Sequence, residues 1–156
     1  MKHGVGLILI SSFLLSCDTS SGPGNEGRKS MSIEGTWELL SGTIIEKEDT
    51  VTTDYTKGQK MIKIINATHF AFLRHDLNKG KDSAVYSSGG GRYSLADSQY
   101  TEYLDFCSDR EREGHSFQFT VSVKNDTLTQ TGVEKIENLG INRFNVEIYK
   151  RVKSKE

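Results

Sequence analysis

The run His115-Ser116-Phe117-Gln118-Phe119-Thr120-Val121-Ser122-Val123-Lys124 decides the fold. Phe117, Phe119, Val121 and Val123 share one face of an extended chain, and Ser116, Gln118, Thr120 and Ser122 the other. That period of two marks a β-strand with one face buried and one in water. Asn125-Asp126 follows, a pair suited to a tight turn, and Thr127 to Val133 then returns as the next strand. Near the end of the chain, Phe144, Val146 and Ile148 alternate with Arg143, Asn145, Glu147 and Tyr149, so Arg143 to Val152 also reads as a strand, with the apolar set expected inside.

Working back toward the amino end, five more strands are expected: Gly35 to Ile45, Gln59 to Ile65, His69 to His75, Ser83 to Ser88 and Gln99 to Cys107. Arg92 to Leu95 continues the fourth or follows a bend at Gly89-Gly90-Gly91. Glu46 to Lys57 reads as a polar loop, Ser108 to Gly114 as a charged one, and Val133 to Leu139 as a possible helical turn. No window carries a sustained apolar stripe at 3.6 residues, and no proline falls after Pro23. Eight short antiparallel strands point to an all-β sandwich or a closed up-and-down barrel, and closure removes exposed edges.

The amino terminus is of a different kind. Lys2 precedes an apolar run from Val5 to Leu15, which ends in Leu14-Leu15-Ser16-Cys17. A membrane-crossing helix needs roughly 20 apolar residues, so this run is too short to span and reads as a signal peptide. Its end resembles the lipobox of bacterial lipoproteins, which implies cleavage before Cys17 and a lipid on its sulfur. The expected organisation is a signal peptide over 1–16, lipidated Cys17 with a Ser-, Gly- and charge-rich tether over 17–32, and a β-barrel domain over 33–153. Two or more acyl chains would hold such a protein stably on a membrane.

Removing residues 1–16 takes only Lys2 from 20 Lys+Arg, against 21 Asp+Glu, for a mature charge of about −2. That balance favours no nucleic-acid partner. Cys17 and Cys107 are the only cysteines; with Cys17 carrying lipid, Cys107 lacks a partner and reads as a buried thiol.

Gly35-Thr36-Trp37-Glu38-Leu39 looks like the Gly-x-Trp opening of lipocalins and other calycin barrels. The whole domain resembles small lipocalin-like lipoproteins of Gram-negative bacteria, through this run, Gly89-Gly90-Gly91-Arg92-Tyr93 with Tyr100-Thr101-Glu102 soon after, and the closing Tyr149-Lys150-Arg151-Val152. Thr53-Asp54-Tyr55 spells a second lipocalin motif but falls too close after Trp37, so the resemblance is to a looser calycin relative. It implies an eight-stranded up-and-down barrel closed at one end by Trp37 beside Gly35. It also implies a cationic side chain packed over the ring; Arg151 is the first candidate and Arg143 the second.

Hydrolase and metal constellations are not legible. His75-Asp76 are strand neighbours pointing to opposite faces, and His69 and His75 lie about 20 Å apart along one strand at ~3.3 Å per residue. Gly89-Gly90-Gly91 lacks the lysine and following helix of a phosphate loop and reads as a bulge, bend or close backbone approach. On Gln99 to Cys107, Tyr100, Glu102, Leu104 and Phe106 share a face. If it points inward, Glu102 is a buried carboxylate needing a partner, with Arg92 and Arg74 available; if not, Glu102 is solvated. The candidate ligand-binding set is Tyr86, Arg92, Tyr93, Tyr100 and Glu102.

The expectation is therefore a monomeric, non-enzymatic, cofactor-free envelope lipoprotein, with the outer membrane favoured over the inner. It would bind a small molecule in its barrel. The alternative is a barrel filled by side chains that meets a protein partner through loops, the charged run Asp109 to Glu113 foremost.

Overall fold

A computed structural model describes Met1 and residues 31–153. The signal peptide, Cys17 and nearly all of the tether lie outside the described residues. Ten strands form: β1 (Gly35–Glu46), β2 (Asp49–Asp54), β3 (Gln59–Ile65), β4 (His69–Asp76), β5 (Tyr86–Ala96), β6 (Gln99–Tyr103), β7 (Phe106–Cys107), β8 (Ser116–Lys124), β9 (Thr127–Ile136) and β10 (Ile141–Arg151). Eight of them close a ring, β1-β3-β4-β5-β6-β8-β9-β10, through the pairing of β10 back onto β1. All pairings are antiparallel. The chain is an all-β, closed, eight-stranded antiparallel up-and-down barrel.

Local chemistry explains the hairpins. Asn125 and Asp126 both take left-handed backbone, at φ 49° and 59°, the two-residue turn whose twist matches the strands it joins. The glycine run bends no strand end; it lies inside a continuous β5, because neighbouring backbone crowds it. A methyl on Gly91 would meet the Tyr103 carbonyl and come 2.7 Å from the Asp105 amide, and one on Gly90 would lie 2.5 Å from the Phe70 carbonyl.

Four expectations are corrected. Glu46 to Lys57 contains β2, which pairs Thr53 with Gly42 and Val51 with Ile44 on β1; its Val51 is exposed, so no buried residue announces it. Val133 begins no helical turn: β9 runs on to Ile136, and a short 3-10 turn follows at Glu137–Leu139. Leu104 and Asp105 interrupt the expected strand Gln99 to Cys107, splitting it into β6 and β7 and shifting its phase so that Phe106 points out, at 69% exposed, while Leu104 stays buried. On β10 the faces are reversed. Tyr149 is fully buried and Arg143, Asn145 and Glu147 line the interior, whereas Phe144 is outside, paired with Ile45 and Val133.

The core is layered along the barrel axis. Ile33, Trp37, Ile65, Phe70, Tyr100, Val121, Leu128 and Tyr149 pack one end solid. Trp37 donates its indole N–H to the Ile33 carbonyl at 2.8 Å. Arg151 lies over the indole, its guanidinium carbon 4.0 Å from the ring centroid, and donates to the Glu34 carbonyl at 2.6 Å. Gly35 is placed by that contact: at φ 136°, a side chain there would strike the Arg151 guanidinium. A register shift between Leu39 and Ser41 flips β1, so Trp37 and Leu39 point in, and beyond it Gly42 and Ile44 pair with the inward Glu147 and Asn145. Bulk leaves the wall there, and the interior opens.

Candidate functional site

Above the packed end lies a cavity of about 350 Å³. Its position follows from four strands whose inward phase carries polar residues: one each on β3 and β6, two on β9 and three on β10. On β3 the inward set is Met61, Lys63 and Ile65. On β6 it is Tyr100 and Glu102, with buried Leu104 just past the strand's end. On β9 it is Leu128, Gln130, Gly132, Glu134 and Ile136, and on β10 it is Arg143, Asn145, Glu147 and Tyr149. Phe72, Phe117 and Phe119 supply the apolar wall.

The floor is a charge cluster. Lys63 donates from Nζ to Glu102 Oε1 at 2.8 Å and to Gln130 Oε1 at 2.9 Å, and lies 3.9 Å from Glu147. Its ammonium sits 5.2 Å from the Tyr149 ring centroid and 5.9 Å from that of Phe70. Tyr149 donates its hydroxyl to Glu147 at 2.7 Å. Burial drives the Glu102 carboxyl above its ordinary range, and Lys63 pulls against it. Burial also raises the Tyr149 and Tyr100 hydroxyls, with Glu147 and Glu102 respectively adding to the effect. A buried ammonium thus has its charge met by Glu102 at hydrogen-bond distance, by Glu147 farther off and by two aromatic faces.

Nearer the mouth, Glu134 is the hub. Its carboxylate accepts from Arg143 Nε and Nη2, each at 2.6 Å, from Asn145 at 3.2 Å, and from Arg112. Burial lowers the Arg112 guanidinium, with repulsion from Arg143 second. Arg112 comes from the charged loop after β7, which therefore folds back over the mouth. Glu113 of that loop accepts the Cys107 amide at 2.9 Å and pairs with Arg110. Arg74 on β4 also faces the cavity, its Nε donating to Gln59 at 2.8 Å and its guanidinium 5.4 Å from the Tyr55 centroid.

The five candidate ligand residues do not converge. Glu102 lines the cavity. Tyr100 and Tyr93 pack at a tilt in the packed end below it, their ring centroids 5.3 Å apart, and Tyr93 donates to the Asn66 carbonyl at 2.8 Å. Tyr86 is exposed and pairs with His75 outside. Arg92 is also outside, held by Asp105 at 3.2 Å and lying over Tyr103. The alternation of β5 is the reason: residues 86 and 92 share the outward phase, 93 the inward one. Glu102 is partnered by Lys63, not by Arg92 or Arg74. Lys63, Gln130 and Glu134 are not singled out in the sequence reading, although a lysine between Met61 and Ile65 on one phase is a readable signal, and Arg143, the second candidate for the cation over Trp37, lies instead on Glu134. Cys107 is partly buried rather than fully.

A second, shallower depression of about 530 Å³ lies on the outer wall over Ala71, Leu73, Gly90 and Phe106. It is apolar and open, and carries no comparable set of convergent charges. Among the described residues no group of three or more His, Cys, Asp or Glu side chains is arranged to hold a metal, and no helix is long and apolar enough to cross a membrane.

No family model matches this chain, and no curated protein matches it.

Proposed function

We propose that this is a lipocalin-like binding protein of a Gram-negative cell envelope, held on a membrane, the outer one by preference, through lipid on Cys17. In this reading it is a non-catalytic monomer that takes a small molecule into its barrel. One observation carries the binding role: an interior cavity of about 350 Å³ whose wall combines three phenylalanines with fixed charged groups. Small-molecule sites are typically of this size, and this one is about as polar as it is apolar, which suits a ligand with both a charged and an apolar part. The loop-contact alternative calls for an interior filled by side chains. It is also weakened by Arg112 and Glu113, whose charges are spent on Glu134 and on the Cys107 amide and Arg110.

Native mass spectrometry of the protein purified from its own envelope tests the reading. A discrete added mass, or uptake of one from a metabolite pool, is the expected result. A bare polypeptide mass under both conditions would defeat it.

A further inference from the structure

The cavity's cations are not equally committed. Lys63 gives two hydrogen bonds, to Glu102 and Gln130. Arg143 and Arg112 both engage Glu134. Arg74 alone has no carboxylate within 4.0 Å among the described residues, and its two terminal nitrogens hydrogen-bond none of them. It is nevertheless held in place, by Gln59 on its Nε and by the Tyr55 ring beneath its plane. A guanidinium fixed at Nε presents its remaining N–H groups in the planar fork that matches a carboxylate, and little further side-chain entropy is lost on binding.

The carboxylates of the site are placed differently. Glu102 and Glu134 are engaged, Glu147 accepts from Tyr149 near the floor, and Asp109 is exposed on the rim loop. A second anion would meet the carboxylates Glu102 and Glu147 at the floor, where two of the three Lys63 donors are already spent on Glu102 and Gln130 and Glu147 lies 3.9 Å from the ammonium. Arg74, two residues along the strand from the cavity-lining Phe72, is where an acid group finds an unspent cation with apolar wall beside it.

Resting on the cavity reading above, we propose that the ligand is a small carboxylic acid with an apolar body: its carboxylate on Arg74, its body against Phe72, Phe117 and Phe119. At ~30 Å³ per water the cavity has room for about a dozen waters' worth of ligand, so a compact ring compound suits it better than a long chain.

Naphthalene-2-carboxylate and naphthalene-2-carboxamide differ little in shape and differ in charge, and both can be titrated calorimetrically into the purified protein. The carboxylate should bind ten- to a hundredfold more tightly, the scale of a charge-assisted pair. Arg74→Gln should abolish that preference by weakening the carboxylate far more than the carboxamide, and Arg74→Lys should restore part of it. Equal affinity for the two probes, or equal loss of both in Arg74→Gln, would overturn the carboxylate assignment and leave cavity binding standing. Failure of both probes to bind at millimolar concentration would overturn the assignment and the cavity reading together.

Discussion

Replacing Lys63 with Met should destabilise the barrel in a pH-dependent way. The Lys63 side chain is 3% exposed and that of Glu102 10%, so the pair sits in a poorly screened interior. Removing one partner of such a pair strands the other, at a cost of about 3–5 kcal/mol near neutral pH. For a domain of this size that is a fall in Tm of roughly 12–20 °C, at ~4 °C per kcal/mol. The sign with pH follows from Glu102. Its carboxyl is already raised by burial, and the Lys63 charge is the strongest influence pulling it down. Without Lys63 it rises further. A raised carboxyl favours the fold below its ordinary value of 4.5, and that stability is lost as pH climbs through the folded value. The penalty of Lys63→Met should therefore be smallest near pH 4 and grow as pH rises toward the raised folded value. Lys63→Met/Glu102→Leu should regain most of the loss, since an apolar pair removes the stranded charge. Urea unfolding followed by the fluorescence of Trp37, the only tryptophan, measures all three chains. A penalty that is near zero at pH 7, or flat from pH 4 to 8, would refute the reasoning.

Three other perturbations probe the frame. Trp37→Ala removes a fully buried indole and its bond to Ile33 and should cost about 3–5 kcal/mol; circular dichroism melts showing a shift under a few degrees would deny it a structural role. Gly91→Ala drives a methyl into the Tyr103 carbonyl and Asp105 amide and should cost at least ~1–3 kcal/mol, where a wild-type melting point would mean that the strands separate easily there. Cys17→Ala should move the protein from the membrane pellet to the soluble fraction, and continued pelleting would sink the lipid anchor.

The fold was legible where burial and alternation coincide. Phe117, Phe119, Val121 and Val123 do point inward on β8, and Asn125-Asp126 does make the turn. Alternation, however, reports a period and not a sign. On β10 the apolar residues faced out because this strand borders a cavity rather than a packed core, so polar Arg143, Asn145 and Glu147 took the inner phase. The same cause hid Lys63: its partner is 39 residues away on a strand that joins β3 only through the barrel interior. Strand β2 was illegible because Thr50, Val51 and Thr52 extend past the core and bury nothing. Tyr86 and Arg92 stand apart from Glu102 because they fall on the outward phase of β5, which the sequence pattern there does not mark.

The claim at the centre is that ligand enters the barrel rather than settling on its outer wall. Amide chemical shifts of the isotope-labelled protein, recorded while naphthalene-2-carboxylate is titrated in, locate the binding directly. Shifts concentrated at Lys63, Phe72, Arg74, Phe117 and Gln130 are the predicted result. Shifts confined to Ala71, Leu73, Gly90 and Phe106 would place binding in the outer depression and contradict it.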